Sequence, residues 1–239
     1  MVFVGQSLSV VVPAFNEQRR ITSLLSGLVR FKEKNRLLKE IIVVDDGSTD
    51  GTARAAREFG KKILLIAHAK NLGKGAAVKT GILAAKCDFV LFMDADGSTP
   101  VSQIPKIVSA LQDSDLALGS RSIAGSRITQ SKPLLRDAIS RFANFYINFL
   151  FGLGCSDAFC GFKGMRRGLA ERIMPALASK GWIFDVELIA RAKARGARIS
   201  EVPVEWGYAC GSKLKPKKLL FALFELISLR LMLRKEGVL

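Results

Sequence analysis

Residues 88–98 constrain the fold of this chain more than any other stretch, because they combine a short apolar run with two closely spaced acids. The run, residues 89–93, has the length and composition of a strand covered on both faces, as in a parallel sheet. Asp94 and Asp96 follow it directly. Ligands of open α/β sheets bind beyond the carboxyl ends of the strands, where paired acids can hold Mg²⁺ and, through it, a diphosphate. Taken alone, the pair favours a plain turn after a strand, so its interpretation depends on the rest of the chain.

The remaining apolar segments alternate between strand and helix patterns. We predict strands at 8–12, 41–44, 63–67, 116–119, 157–163 and 199–206. We predict helices at 21–31, 52–59, 78–86, 101–111, 134–153 and 219–235, with a further helix opening at 181–187 and a polar loop at 122–133. Strands that alternate with helices over short loops predict an α/β fold, with a Rossmann-like, mostly parallel sheet flanked by helices.

Residues 71–77 form a glycine-rich loop that leads into a predicted helix. Gly73 and Gly75 allow backbone to approach a ligand closely, and Lys74 can meet a phosphate or a sugar-nucleotide oxygen. The spacing is not that of a P-loop. A plain helix start with flexible glycines is an equal alternative for this loop alone.

The charge of the chain is strongly positive and unevenly distributed. The formal net charge is +16; residues 1–120 carry 16 basic and 12 acidic side chains, whereas residues 121–239 carry 21 and 9. A basic half indicates an anionic partner, which is a nucleic acid, an anionic membrane surface or a phosphate-bearing substrate. Single-stranded nucleic-acid binding predicts aromatic residues along an exposed basic groove. Here they cluster in the apolar helix 134–153, so we expect no nucleic-acid partner.

Two segments suit a membrane surface, although no stretch reaches the roughly 18 to 20 uninterrupted apolar residues of a transmembrane helix. The helix at 134–153 joins many aromatic residues to Arg136 and Arg141, which fits a core helix or a membrane interface equally well. Residues 213–239 combine basic residues with a broad apolar face. They predict an amphipathic helix in the interface, with docking on the sheet as the alternative.

The histidine and the cysteines do not form a pattern typical of a catalytic or zinc site. The single histidine, His68, follows a predicted strand, and we expect it at the surface. The four cysteines fit no zinc spacing.

Five stretches match, in order, the motifs of family 2 inverting glycosyltransferases, which have the GT-A fold. They are residues 12–17, 44–52, 71–75, 93–97 and 119–121. Within that family the chain resembles the dolichyl-phosphate sugar synthases, both mannosyl and glucosyl. The stretches 156–163, 182–187, 201–206 and 211–213 look most like the dolichyl-phosphate β-glucosyltransferase branch. The resemblance covers about residues 7–215.

On the donor side, the resemblance implies a nucleotide-sugar site formed by Pro13, Phe15, Glu17, Asp46, Lys74 and Asp94. Asp46 matches the acid that reads the base edge, and Phe15 stands where these enzymes often have Tyr. Asp94 and Asp96 match the acids that hold Mg²⁺ or Mn²⁺ against the diphosphate, with Asp96 counted among the catalytic residues.

On the acceptor side, Arg121, Arg136 and Ser140 match positions that bind the lipid phosphate in mannosyl relatives. A phosphate monoester has a second pKa near 6, so it is mostly dianionic at pH 7 and needs positioning rather than a base. A family 2 enzyme acting on a sugar hydroxyl is the alternative, with Asp157, Asp185 or Glu187 as the base.

The resemblance implies a metal-dependent, inverting hexosyltransferase that uses dolichyl or another polyprenyl phosphate. UDP-glucose is the expected donor, and GDP-mannose is the alternative. We expect a GT-A domain over residues 1–212, including an interfacial helix at 134–153, followed by a membrane-surface helix at 213–239. The protein is expected at the cytoplasmic face of a membrane as a peripheral or monotopic protein.

Overall fold

The computed structural model describes residues 5–130, 134–208 and 217–239, without the side chains of 134–136 and 217–223. Within these ranges the strands are β1 (Leu8–Ala14), β2 (Leu38–Asp45), β3 (Leu64–Ala67), β4 (Phe89–Met93), β5 (Leu116–Ser120), β6 (Arg127–Gln130), β7 (Phe162–Arg166), β8 (Ile199–Pro203) and β9 (Glu205–Gly207). The α-helices are α1 (Ile21–Lys34), α2 (Thr52–Arg57), α3 (Lys74–Ala84), α4 (Ile104–Ala110), α5 (Leu134–Phe151), α6 (Arg167–Ile173), α7 (Phe184–Ala194) and α8 (Lys217–Lys235).

The main sheet has the strand order β3-β2-β1-β4-β7-β5-β8. All its neighbours pair in parallel except β7, which is antiparallel to both β4 and β5. The predicted mostly parallel sheet is therefore confirmed. Strands β6 and β9 form a separate two-stranded parallel ribbon.

Helices cover both faces of the sheet. Successive side chains of a strand point to opposite faces. Accordingly Val10 and Val12 of β1 join the apolar cluster under α1, α2 and α4, whereas Val11 joins the cluster under the other helices. All three side chains are fully buried. This double burial explains why the strands are apolar throughout.

Helix α8 docks on the body of the protein through three leucines. Leu226, Leu229 and Leu233 are buried in the same apolar cluster as Ile147 and Phe151 of α5. The opposite faces of these two helices remain apolar and exposed, as described below. Among the described residues, no helix is long and apolar enough to cross a membrane.

Two predicted strands differ in the structure. The strand predicted at 157–163 begins only at Phe162, and residues 157–161 form a loop. Gly161 lies so close to Asp94 that a Cβ there would overlap the Asp94 carboxylate. The strand predicted at 199–206 is interrupted at Val204, where the chain leaves the main sheet for the two-stranded ribbon.

Two further boundaries differ. The polar loop predicted at 122–133 contains β6, which finds its partner in the distant β9. Helix α3 begins at Lys74 rather than at residue 78, because Gly73 adopts a φ of +103° that ends the preceding loop. Lys74 is consequently held in the first turn of a helix.

Candidate active site

The loops after β1 and β2 are tied together at the carboxyl edge of the sheet. Asn16, at a φ of +53°, donates its backbone N–H to Ser48 Oγ (2.9 Å) and accepts from the Thr49 N–H (2.8 Å). The Glu17 N–H donates to Thr52 Oγ1 (2.8 Å). These cross-links fix the shape of the loop that the sequence predicts to hold a base and ribose.

The three predicted residues of this loop differ in accessibility. Pro13 is buried, whereas Phe15 and Glu17 are partly exposed. The Glu17 carboxylate forms an ion pair with Arg20 (2.6 Å) one helical turn later. Phe15 and Glu17 therefore border the crevice, while Pro13 shapes it from below.

Asp46 holds the glycine-rich loop in place. Its Oδ1 accepts from the Leu72 N–H (2.9 Å) and its Oδ2 from the Gly73 N–H (2.8 Å). The ring of His68 also lies against it, with Nδ1 2.7 Å from Oδ1 and Nε2 3.0 Å from Thr80 Oγ1. The expectation of a surface His68 is therefore wrong: its side chain is only 10% exposed, because the imidazole links β3 to Asp46 and α3.

The neighbouring Asp45 was not singled out from the sequence. Its side chain is buried, and its Oδ1 has no hydrogen-bond partner among the described residues. An unsatisfied buried carboxylate oxygen lowers the stability of a fold. The signal in the sequence was the double acid itself, of which only the second member was assigned.

Lys74 lies against the first of the two acids after β4. Its Nζ is 2.6 Å from Asp94 Oδ1, and only 12% of its side chain is exposed. Burial opposes the charge, but the nearby Asp94, Asp185 and Asp96 raise the pKa of Lys74 above its ordinary value. Lys74 is therefore a fixed positive charge, as phosphate binding requires.

The residues after β4 fit a divalent cation that is shared with a substrate. Asp94 and Asp96 are partly exposed, and Asp96 Oδ1 accepts from the Ser98 N–H (2.9 Å), which orients the carboxylate. Over the described residues, no three side chains of His, Cys, Asp or Glu converge as a complete metal site. Mg²⁺ is commonly held by one or two carboxylates together with substrate phosphates, which matches this incomplete donor set.

Two of the three acids named as a possible base, Asp185 and Glu187, are buried. Asp185 pairs with the fully buried Lys163, whose Nζ is 2.5 Å from Asp185 Oδ1. Burial raises the pKa of Asp185, against the opposing charge of Lys163. Glu187 pairs with Arg191 (2.7 Å) and accepts two backbone N–H groups of residues 178 and 179. Both lie inward because each has a basic partner inside the fold.

A cavity of about 590 Å³ lies beyond the end of β5, beside α5. Its walls include Arg121, Ser140, Arg141, Asn144, Phe145, Ile128, Asp157 and Trp206. Two of the predicted acceptor residues, Arg121 and Ser140, thus share one cavity. The third, Arg136, lies one helical turn before Ser140, and its side chain is outside those described.

Arg121 is held rigidly in this cavity. Its Nε and Nη2 donate to the two oxygens of Asp157 (2.6 and 2.7 Å), and its guanidinium lies 5.2 Å from the centroid of the Trp206 ring. Burial disfavours both charges, yet the bidentate pair raises the pKa of Arg121 and lowers that of Asp157. The pair therefore presents a preorganised guanidinium on the wall of the cavity.

The mouth of the cavity is apolar. Phe145 of α5 and Ile128 of β6 line it and are 69% and 45% exposed. The cavity therefore joins the Arg121 guanidinium, paired with Asp157, to an apolar mouth, a combination that suits an amphiphilic ligand better than a free sugar.

Comparisons with a family model and with known proteins agree on one family. The model of glycosyl transferase family 2 matches residues 9–174. The chain is 36% identical over 225 residues to the dolichyl-phosphate β-glucosyltransferase of Dictyostelium discoideum, a match that covers 87% of this chain and 69% of that protein. It is 33% identical over 228 residues to the human protein of that name, covering 88% and 70%. These matches confirm the resemblance seen in the sequence motifs.

The fold resembles that of solved glycosyltransferases. Glucosyl-3-phosphoglycerate synthase from Mycobacterium tuberculosis, in complex with Mn²⁺, UDP and phosphoglyceric acid, superposes with a TM-score of 0.72 at 22% identity, covering 95% of this chain and 78% of that one. A complex of the same enzyme with Mn²⁺, UDP-glucose and phosphoglyceric acid gives 0.72 at 21% identity, covering 98% and 80%. The predicted GT-A fold is thereby confirmed.

We predict that Asp157→Asn destabilises the protein by about 3 kcal/mol at pH 7, because it leaves the buried Arg121 charge unpaired. Since the pKa of Asp157 is lowered on folding, the stability from the pair is present above the carboxyl's unfolded pKa of about 3.9 and is lost as the pH falls through its lower folded value. Urea unfolding at several pH values measures both effects.

The matched control is Asp137→Asn, which breaks an exposed pair with Arg141 and should cost less than about 0.5 kcal/mol. A difference between Asp157→Asn and wild type that stays constant from pH 7 down to pH 2 would contradict the assigned ion pair.

Proposed function

The chain belongs to glycosyl transferase family 2, and on that premise we propose that it transfers glucose from UDP-glucose to dolichyl phosphate or a related polyprenyl phosphate. The observation that carries this proposal is the cavity beside α5, which joins the rigid guanidinium of Arg121 to the exposed apolar side chains of Phe145 and Ile128. A lipid phosphate has the same two parts, an anionic head and an apolar chain.

The donor is proposed to lie over the ends of β1, β2 and β4. Pro13, Phe15 and Glu17 border the base and ribose. Asp46, whose two oxygens accept the Leu72 and Gly73 N–H groups, is proposed to face the N3–H edge of uracil. The relatives named as dolichyl-phosphate β-glucosyltransferases, and the UDP-bound structures of similar fold, support UDP-glucose over GDP-mannose.

The diphosphate is proposed to lie between Lys74 and the acids after β4. Asp94 and Asp96 would hold Mg²⁺ or Mn²⁺, which when bound neutralises charge on the departing diphosphate. Lys74 is already fixed beside Asp94 and can donate to a diphosphate oxygen without losing its buried position. The Mn²⁺ in the structures of similar fold supports a divalent cofactor.

The acceptor phosphate is proposed to bind Arg121, Ser140 and Arg136. A dianionic phosphate oxygen is already a nucleophile, so these residues need only hold it in line behind the anomeric carbon. Arginine suits this role because its planar fork can contact two phosphate oxygens at once. Inversion at the anomeric carbon follows from a single in-line displacement.

Transfer to a sugar hydroxyl is less well supported, because it needs a carboxylate that can accept a proton. The three acids considered for that role are each paired with a buried basic side chain: Asp157 with Arg121, Asp185 with Lys163, and Glu187 with Arg191. Taking up a proton would break these pairs at a cost of several kcal/mol.

We propose that the exposed faces of α5 and α8 bind the membrane that holds the acceptor. Phe142, Phe145 and Phe149 share one face of α5 and are 62–75% exposed. A similar stripe on α8, formed by Phe224, Ile227 and Leu231, is also exposed. Phe145 belongs to both the apolar face and the cavity mouth, so a lipid could pass from the bilayer to Arg121 without crossing water.

Charge and domain organisation fit this attachment. Basic side chains next to the apolar stripes, including Arg141, Arg234 and Lys235, are exposed. The anionic cytoplasmic leaflet attracts such groups, so we propose peripheral attachment to the cytoplasmic face. In this proposal residues 1–212 form the catalytic domain, with the interfacial helix predicted at 134–153, and α8, within the predicted segment 213–239, is the second membrane-surface helix. Residues 213–216 of that segment lie outside the described residues.

The donor is tested by transfer to a short polyprenyl phosphate from a panel of radiolabelled nucleotide sugars. We expect transfer from UDP-glucose to be at least about tenfold faster than transfer from GDP-mannose. A tenfold difference is about 1.4 kcal/mol, the size of one good contact to the base. Faster transfer from GDP-mannose would reject the glucosyl assignment and leave the mannosyl alternative.

The metal assignment is tested with Asp96→Asn. We expect the rate of transfer to fall by about 10²–10³, as is typical when one group that stabilises developing charge is removed. Mn²⁺ binding in the presence of UDP should weaken in parallel. Asp113→Asn, an exposed acid on another surface, is the control. Unchanged transfer by Asp96→Asn, or in the presence of EDTA, would count against the metal site.

Membrane attachment is tested with the double variant Phe142→Ser/Phe149→Ser. Deleting α8 would be uninformative, because it also removes the three buried leucines. We expect sedimentation with anionic liposomes to fall at least about tenfold, since an apolar side chain gains about 1.5–3 kcal/mol on full burial. The matched control, Leu64→Ser/Leu83→Ser, changes exposed leucines elsewhere. Equal pelleting of both variants would reject this face as the membrane contact.

A further inference from the structure

Trp182 is an exposed aromatic residue that the folding core does not use. The side chain is 46% exposed, although the neighbouring Ile183 and Phe184 are buried. Exposure of a large apolar ring at the edge of a crevice is a common feature of ligand sites. The other residues of its sequence motif, 183–187, are buried, so packing accounts for them but not for Trp182.

The loop that carries Trp182 is anchored from the side of α3. The carbonyl oxygen of Lys180 accepts from the backbone N–H groups of Gly75 (2.7 Å) and Ala76 (3.3 Å). Lys79 Nζ donates to the carbonyl oxygens of residues 175 and 177 (2.9 and 2.8 Å). A Cβ on Gly75 would overlap the loop backbone, which shows how closely the two segments pack.

The same loop is anchored from the side of α7. The Glu187 carboxylate accepts from the backbone N–H groups of Ala178 (2.9 Å) and Ser179 (2.7 Å). With contacts on both sides, the backbone before Trp182 is fixed. The exposed ring is therefore presented on a rigid support rather than on a loose loop.

The ring lies beside the diphosphate acids. Its centroid is 5.0 Å from Lys74 Nζ, and the same Nζ contacts Asp94 at 2.6 Å. The base-binding loops after β1 and β2 lie on one side of these groups, and the Arg121 cavity lies on the other. If the diphosphate lies as proposed, a hexosyl group attached to it would lie between these two regions, close to Trp182.

We propose that Trp182 is the stacking surface for the hexosyl group of the donor, an inference that rests on the proposed function. Pyranose rings have apolar C–H faces, and an aromatic face covers them while their hydroxyl groups stay at the rim. Such stacking fixes the ring plane and aims the anomeric carbon at the acceptor. Trp182 is thus a positioning and specificity residue, distinct from the groups that bind the nucleotide and the phosphates.

The test compares the binding of UDP-glucose and UDP in the presence of Mn²⁺ by calorimetry. We expect Trp182→Ala to lower the affinity for UDP-glucose about tenfold, which is within the range for aromatic stacking. The affinity for UDP should fall less than about twofold. Trp182→Leu keeps apolar volume without the π face and should resemble Trp182→Ala, whereas Trp182→Phe should retain most of the affinity. Leu83→Ala, on the exposed surface of α3, is the control for a general loss of apolar surface.

The outcomes separate this inference from the function on which it rests. Equal weakening of UDP and UDP-glucose would show that Trp182 acts through Lys74, and it would overturn the stacking role. Unchanged binding of UDP-glucose to Trp182→Ala and Trp182→Leu would overturn it as well. If the wild-type protein binds UDP and UDP-glucose with equal affinity and transfers no glucose, the proposed function fails, and the inference fails with it.

Discussion

Pairing of buried carboxylates with buried basic side chains is the interaction on which the rest of this site depends. Asp185 contacts Lys163 beneath the crevice, and Asp157 holds Arg121 by two hydrogen bonds at the cavity wall. Burial of either charge alone would be prohibitive, whereas a well-hydrogen-bonded pair is tolerated inside a fold. Each pair crosses between elements: one fixes α7 against β7, and the other fixes the loop before β7 against the end of β5.

The pairing has a chemical consequence for the reaction. In the proposed site, Asp157 and Asp185 are held in ion pairs and would not act as a general base, whereas Arg121 and Lys74 would lie as preorganised positive charges on either side of the hexosyl group. Such a site stabilises anions at both ends of a transfer, the departing diphosphate and the incoming phosphate. It suits a nucleophile that arrives already ionised, and the apolar mouth at Phe145 suits one that arrives from a bilayer.

The sequence allows much of the fold and part of the site to be predicted. Buried strands that end in acids place Asp46, Asp94 and Asp96 at one edge of a parallel sheet, because that placement depends only on local pattern. The partners of Asp185 and of His68 were not predictable, since Lys163 and Asp46 each lie 22 residues away and meet them only in the folded chain. The Glu187–Arg191 pair did have a local signal, the i,i+4 spacing on one helix. The antiparallel β7 was placed too early because the apolar residues 158–160 continue the strand pattern of β7 and the glycine after them was read as part of the strand, whereas Gly161 packs closely against Asp94.

The central claim is that this protein positions a phosphate nucleophile and supplies no base. The most direct measurement compares a short polyprenyl phosphate with the corresponding polyprenol as acceptors of glucose from UDP-glucose, at equal concentration in the same detergent. We expect a β-linked glucosyl phosphate product from the first acceptor and no detectable glucoside from the second. Transfer to the polyprenol at a comparable rate would contradict it, because that reaction requires a proton acceptor which the paired carboxylates do not provide.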